Sequence, residues 1–218
     1  MTKRNLTALL LLNLLFVSAA VYSQAEIVAR VTLLTGEAEV IRANGVREPL
    51  QRRKEIMEGD DIETASDAAV QLMFADGALV ALRCNSKLSV YAFSYGNADD
   101  YNAELILHWG SLRAVIGEIA PGKYHLSIAE TVVHGNDSDF EVTLAEDGTQ
   151  YFGVYDGVMT IEHAQLESNL GRGANADFAR LDIGFPFEEL SQMPPQLGHS
   201  VLFFPTNPNT FRSTNCAN

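Results

Sequence analysis

Basic residues are scarce in this chain. Fifteen Lys and Arg stand against 28 Asp and Glu, for a formal net charge of −13. A surface of that sign repels nucleic-acid phosphates and anionic lipid, so neither is expected as a partner. Cysteine is nearly absent: Cys84 and Cys216 form no Cys-x-x-Cys pair, which excludes the usual zinc and dithiol motifs. A long amphipathic helical period is missing between Val28 and Glu162. The five histidines, His108, His125, His134, His163 and His199, show no H-E-x-x-H or H-x-H spacing. No G-x-S-x-G elbow, phosphate loop or dinucleotide fingerprint accompanies them. The glycines of "LGRGAN" at 170–175 lack the strand-to-helix setting that phosphate cradling needs. No catalytic centre, cofactor or metal is therefore expected, and the chain reads as a non-enzyme.

What is there is an ordinary globular composition, 47% hydrophobic and 20% charged, over 218 residues. The start, "MTKRNLTALLLLNLLFVSAAVYSQA", has Lys3 and Arg4, an apolar run from Leu6 to Val17, and small residues at Ser23 and Ala25. That is the signature of an export leader, with cleavage expected before Glu26. The run falls short of the roughly 20 residues that span a bilayer, so no transmembrane span is expected after cleavage. The expected division is a leader over 1–25, a β domain over 26–163 and a loosely structured extension over 164–218. An exported chain can hold a disulfide, and one closing 84 to 216 would be worth about 5 kcal/mol on chain entropy. Cys216 lies in a polar terminus prone to fray, however, so the two thiols are expected to stay unpaired.

Short strands dominate the rest. Val70, Leu72 and Phe74 alternate with Ala69, Gln71 and Met73; Val80 and Leu82 alternate with Ala81 and Arg83. Phe140, Val142 and Leu144 alternate with Glu141, Thr143 and Ala145. Period two with one apolar face marks half-buried strands. Asn44-Gly45, Asp76-Gly77, Asp147-Gly148 and Asp156-Gly157 read as tight two-residue hairpins, with Gly45, Gly77, Gly148 and Gly157 at positive φ. "AVQLMFADGALVAL" and "EVTLAEDGTQYFGV" echo one another as strand, Asp-Gly turn and strand. The expected fold is all-β, a two-sheet sandwich or a solenoid-like stack of short hairpins. Past His163 the alternation fades, with one helical turn expected near Glu188–Gln192.

The stretch "GNDSDFEV" (135–142) places Asp137, Asp139 and Glu141 on alternate positions. With Phe140 and Val142 facing the core, the three carboxylates should share the opposite, solvated face. Calcium wants six to eight converging oxygens from a loop, and a straight strand edge supplies too few. A solvated strand edge is the expected outcome. A second candidate is the run Tyr91, Phe93 and Tyr95 in "SVYAFSYG". Exposed, such rings could stack on sugars or anchor a partner; buried, they cover the core. The core reading is preferred, and Trp109 is also expected inside.

These residues resemble the FecR domain of bacterial exported and inner-membrane proteins. The resemblance lies in "NGVREPL" (44–50), "GDDIET" (59–64), "AAVQLMFADGALVAL" (68–82), "NSKLSV" (85–90), "GSLRAVIG" (110–117) and "SDFEV" followed by "DGTQYFGVYDGVMTIE". It covers roughly 31–163. Similar domains read Arg-Gly-Thr-Asp-Phe where this chain reads His134-Gly135-Asn136-Asp137-Ser138-Asp139-Phe140. The arginine is gone and two residues are inserted, so only Asp139 and Phe140 carry over, as structural positions. The resemblance implies an all-β domain in the periplasm of a Gram-negative bacterium or outside the cell. Only five residues precede the apolar run, so no cytoplasmic sigma-factor-holding segment is expected. The expected function is a binding or scaffold module that engages another envelope protein. The alternative is a glycan-binding module using Tyr91, Phe93, Tyr95 and Tyr151.

Overall fold

The computed structural model describes residues 26–96, 100–117 and 123–198. Every element among them is a strand, as the alternation requires. In chain order they are β1 (Ile27–Thr35), β2 (Ala38–Ile41), β3 (Arg47–Pro49), β4 (Glu55–Met57) and β5 (Asp61–Thr64). Next come β6 (Ala69–Phe74), β7 (Leu79–Leu82), β8 (Ser86–Ser94), β9 (Asn102–Ile116) and β10 (Tyr124–Ile128). The last are β11 (Thr131–Leu144), β12 (Gln150–His163), β13 (Leu166–Gly171), β14 (Phe178–Leu181) and β15 (Glu188–Leu190). The chain is all-β, and the pairing is one continuous network.

Three long strands organise that network. The first part of β9 pairs with β8 and, in parallel, with β10, whereas its last part pairs with β7 and β11. Strands β11 and β12 divide likewise: β12 meets β14 near its start and β13 near its end. The breaks fall at Gly110 and at the bulge between Asn136 and Asp139. Side chains from both divisions, such as Leu105, Leu107 and Leu126 on one and Leu72, Leu112 and Val142 on the other, enclose a single apolar core. Burying such side chains contributes roughly 1.5–3 kcal/mol each before the entropy of ordering is counted.

Three of the four Asx-Gly dipeptides close hairpins, through a three-residue loop rather than the expected two. In the β11–β12 turn, Gly148 N–H donates to the Ala145 carbonyl and Ala145 N–H donates to the Thr149 carbonyl. Asp147 Oδ1 accepts from Thr149 N–H, and only Gly148 has positive φ, at 84°. The Asn44-Gly45 and Asp76-Gly77 turns repeat these bonds, which explains the internal echo. This is a type I turn followed by a left-handed glycine. Gly148→Val puts a β-branched residue at that φ, with its Cβ 2.5 Å from Ile183 Cδ1. It is expected to cost about 1–3 kcal/mol, read as a lowered urea midpoint; an unchanged midpoint would show that the left-handed conformation is not required.

The fourth dipeptide is a correction. Gly157 lies inside β12, opposite the β11 bulge, and turns no hairpin. Its φ is 78°, and a Cβ there would collide with the Asp137 carbonyl oxygen. The glycine lets two backbones approach where one strand carries extra residues.

The region after His163 is also more ordered than expected. Strand β13 pairs with β12 over six positions, β14 pairs with β12, and β15 pairs with β14. The helical turn expected near Glu188–Gln192 is instead strand β15 and a bend. Backbone pairing with an already formed neighbour overrides weak local alternation. Cys84 is disulfide-bonded, against the expectation of open thiols; Cys216, the other cysteine of the sequence, lies outside the described residues. The leader expected over 1–25 lies outside them too.

Candidate functional site

The acidic stretch of β11 is not the solvated edge it was expected to be. Asp139 and Glu141 do share a face, but Glu141 is 0% exposed. The returning segment at 193–198 lies on it: Gly198 N–H donates to Glu141 Oε2 at 2.8 Å, and Thr143 Oγ1 donates to the Gln196 carbonyl at 3.2 Å. Tyr155 O–H donates to the same Glu141 oxygen at 2.6 Å. Burial and that carboxylate hold the Tyr155 phenol well above its ordinary pKa.

Asp139 takes Arg113 in a two-pronged pair, with Nε and Nη2 each 2.7 Å from a carboxylate oxygen. The guanidinium sits 4.3 Å from the Tyr155 ring centroid, so one cation ties β9, β11 and β12 together. Burial is the largest single influence on the Arg113 guanidinium and lowers its pKa; the Asp139 bond together with the fields of Asp139, Tyr155 and Glu141 outweighs it and leaves the pKa raised. Arg83, beside Glu141, is held below its ordinary value by burial.

Asp137 stands apart. It lies in the β11 bulge between Asn136 and Asp139, where its φ is 44°. That bulge turns its side chain toward Arg172, which also meets Asp156 at 3.1 Å. Asp139 and Glu141 are thus linked through Arg113 and Tyr155, while Asp137 pairs apart from them with Arg172.

The aromatic stripe dissolves as well. The β8–β9 register shifts between Val90 and Ala92, which reverses the alternation of β8. Tyr91 and Tyr95 are 63% and 57% exposed, while Phe93 is 4% exposed between Phe74 and Tyr101. The core reading therefore holds for Phe93 and fails for the two tyrosines. Tyr151 is half-buried on β12, which does not pair with β8.

A site that the sequence did not single out lies where the middle of β9 meets the β10–β11 turn, the β11–β12 hairpin, the end of β12 and the end of β14. A cleft of about 640 Å³ opens there, floored by Trp109, Leu144, Leu181 and Ile183. Trp109 is 43% exposed, contrary to the expectation that it is core. His108 accepts or donates at Nε2 to Ser89 Oγ (2.7 Å), and His163 Nδ1 meets Thr131 Oγ1 at 3.2 Å, so hydroxyls steady both rings lining the cleft. Glu130, Glu146 and Asp182 supply its charge, and no Lys or Arg lines it. Gln150 also lines it, is 6% exposed, and its Oε1 has no hydrogen-bond partner. The sequence did hold a signal. Apolar residues fall on odd positions up to Leu107 and on even positions from Leu112. The residues between must leave the pleat, and they include Trp109.

Residues 60–159 match the family model described as FecR protein, in line with the resemblance of the sequence to the FecR domain. Among curated proteins, none matches the chain. Two crystal structures of a candidate anti-sigma factor from Parabacteroides distasonis, at 1.65 and 2.50 Å resolution, are similar in fold. Identity is 12% and 13%, and the TM-scores are 0.49 and 0.50. The likeness covers 60% of this chain and 58% of each of those chains, so it spans less than two thirds of their length. The FecR match contains Trp109 and Gln150; Ile183, which also lines the cleft, comes from the turn after β14, beyond the match.

Proposed function

We propose that this chain is an exported, signalling-related binding module that engages another protein of the cell envelope and performs no chemistry of its own. The FecR match over 60–159 carries this reading. The leader-like start at Lys3, Arg4 and Leu6–Val17 supports export to the periplasm or beyond. The candidate anti-sigma factor similar in fold is in keeping with a signalling role. Asp139, Glu141, His108 and His163 are engaged in structural bonds, and Glu130, Glu146 and Asp182 are spread over a wide cleft, an arrangement suited to recognition. The glycan alternative drew on Tyr91, Phe93, Tyr95 and Tyr151 as one platform. With Phe93 in the core, that platform has no continuous ring face.

The test is to fractionate cells that express the full chain, sequence the N-terminus of the envelope-fraction protein, and identify what co-purifies by mass spectrometry. The expected results are a start at Glu26 and a specific envelope protein at near-equal amounts. A start at Met1 would remove the export reading. Recovery of saccharide alone would promote the glycan alternative.

A further inference from the structure

We infer that the cleft around Trp109 is the docking groove of this module. Its occupant is an extended segment of the partner protein that carries a lysine or arginine beside an apolar residue. This rests on the reading of the chain as a protein-binding module and adds where the partner binds and what it must present.

Three features of the cleft select that chemistry. The first is its apolar floor. Trp109 and Ile183 are exposed, and Ile183 is 75% so. Aromatic and aliphatic anchors of this kind dominate the energetics of protein contacts. The volume, about 640 Å³, suits a short stretch of chain, since ligand clefts span roughly 300–1,000 Å³.

The second is charge. Glu130 and Glu146 pair with no basic side chain among the described residues, while Asp182 takes Arg180 at 2.9 Å. An acidic wall without a cation favours a basic segment and rejects an acidic one. The indole already attracts one cation, Lys87 Nζ, at 5.4 Å from the ring centroid.

The third is Gln150. Its amide is enclosed at the base of the cleft, and its oxygen accepts nothing. A buried acceptor without a donor is costly to leave unmet. A peptide N–H or a guanidinium entering the cleft supplies the missing donor, whereas a purely apolar or anionic occupant does not.

Trp109 is also the single tryptophan of the sequence, so intrinsic fluorescence reports on this cleft alone. The probe is a capped hexapeptide alternating leucine and arginine, titrated into the mature chain. Controls are the leucine–glutamate counterpart and maltohexaose. The leucine–arginine peptide is expected to shift the emission saturably, and the effect should weaken as salt screens it. The two controls should leave the emission unchanged. Gln150→Leu, which breaks no existing hydrogen bond, should keep the urea midpoint and lose affinity about fivefold, the equivalent of one neutral hydrogen bond.

The pair Glu130→Gln with Glu146→Gln should weaken binding strongly. The pair Glu37→Gln with Glu167→Gln, which removes the same charge outside the cleft, should not. Equal weakening by both pairs would mean general attraction to an acidic protein, and the assignment would fall. No saturable shift, or an equal response to the acidic peptide or the saccharide, would also overturn it. The envelope capture is then repeated with Ile183→Ser. Capture that survives this change sinks the cleft while leaving the binding function standing. Failure of the unaltered protein to capture any partner sinks the function itself.

Discussion

Phe93→Ala is expected to cost about 3–5 kcal/mol of folding stability, the usual range for deleting a buried phenylalanine ring. The ring is 4% exposed, with centroids 5.3 Å from Phe74 and 6.3 Å from Tyr101. Nothing nearby can swing in to fill the gap, because strand neighbours on both sides are fixed by backbone pairing. Tyr91→Ala and Tyr95→Ala, two residues away on either side, should change stability by only about 0.5 kcal/mol. Urea melts of the three variants read the contrast directly. A Phe93→Ala protein with an unchanged midpoint would mean that β8 does not bulge at 90–92 and that the ring faces solvent.

Glu141→Ala is expected to destabilise by about 3–5 kcal/mol, the scale for removing one partner from a buried charge cluster. The carboxylate accepts from Tyr155 O–H and Gly198 N–H and lies within the field of Arg113 and Arg83. Without it the two guanidinium groups lose a compensating charge, and the segment at 193–198 loses its anchor to β11. The loss should therefore appear in two places. The urea midpoint falls, and hydrogen exchange at 193–198 quickens more than in β6 or β7. Uniform exchange across the chain would show that Glu141 does not clasp that segment. Glu141→Gln, which keeps an acceptor oxygen, should retain more of the clasp than alanine does.

Both predictions turn on residues whose surroundings the sequence misplaced or left open, for the same physical reason. Alternation identifies the two faces of a strand, although in β6, β7 and β11 the second face is covered too, at Gln71, Ala81 and Thr143. It does not say which face a later segment covers. Glu141 looked solvated because Phe140 and Val142 are apolar; it is buried because Gly198 returns to it 57 residues later. Tyr91 and Tyr95 looked like partners of Phe93 because they are two apart; a bulge set by pairing with β9 reverses the alternation and turns Phe93 inward, while Tyr91 stays outside. Trp109 was expected inside, and the cleft it lines gathers the middle of β9, the β11–β12 hairpin and the end of β14, which are distant along the chain.

The extension past His163 shows the same limit. Its strands are short and weakly alternating, and they form because β12 presents an open edge to them. The all-β class, the positions of β6, β7, β11 and β12, and three of the four Asx-Gly hairpins were legible from residues alone. Each depends on side-chain period or turn chemistry within about five residues, and local sequence carries that information. The resemblance carried by the motifs from 59 onward has the same origin, since each motif is a turn or strand of that kind. Burial of a charge, the facing of a ring after a bulge and the opening of a cleft depend on contacts between distant segments. Only the folded chain decides them, because the energy of a side chain is set by what arrives beside it.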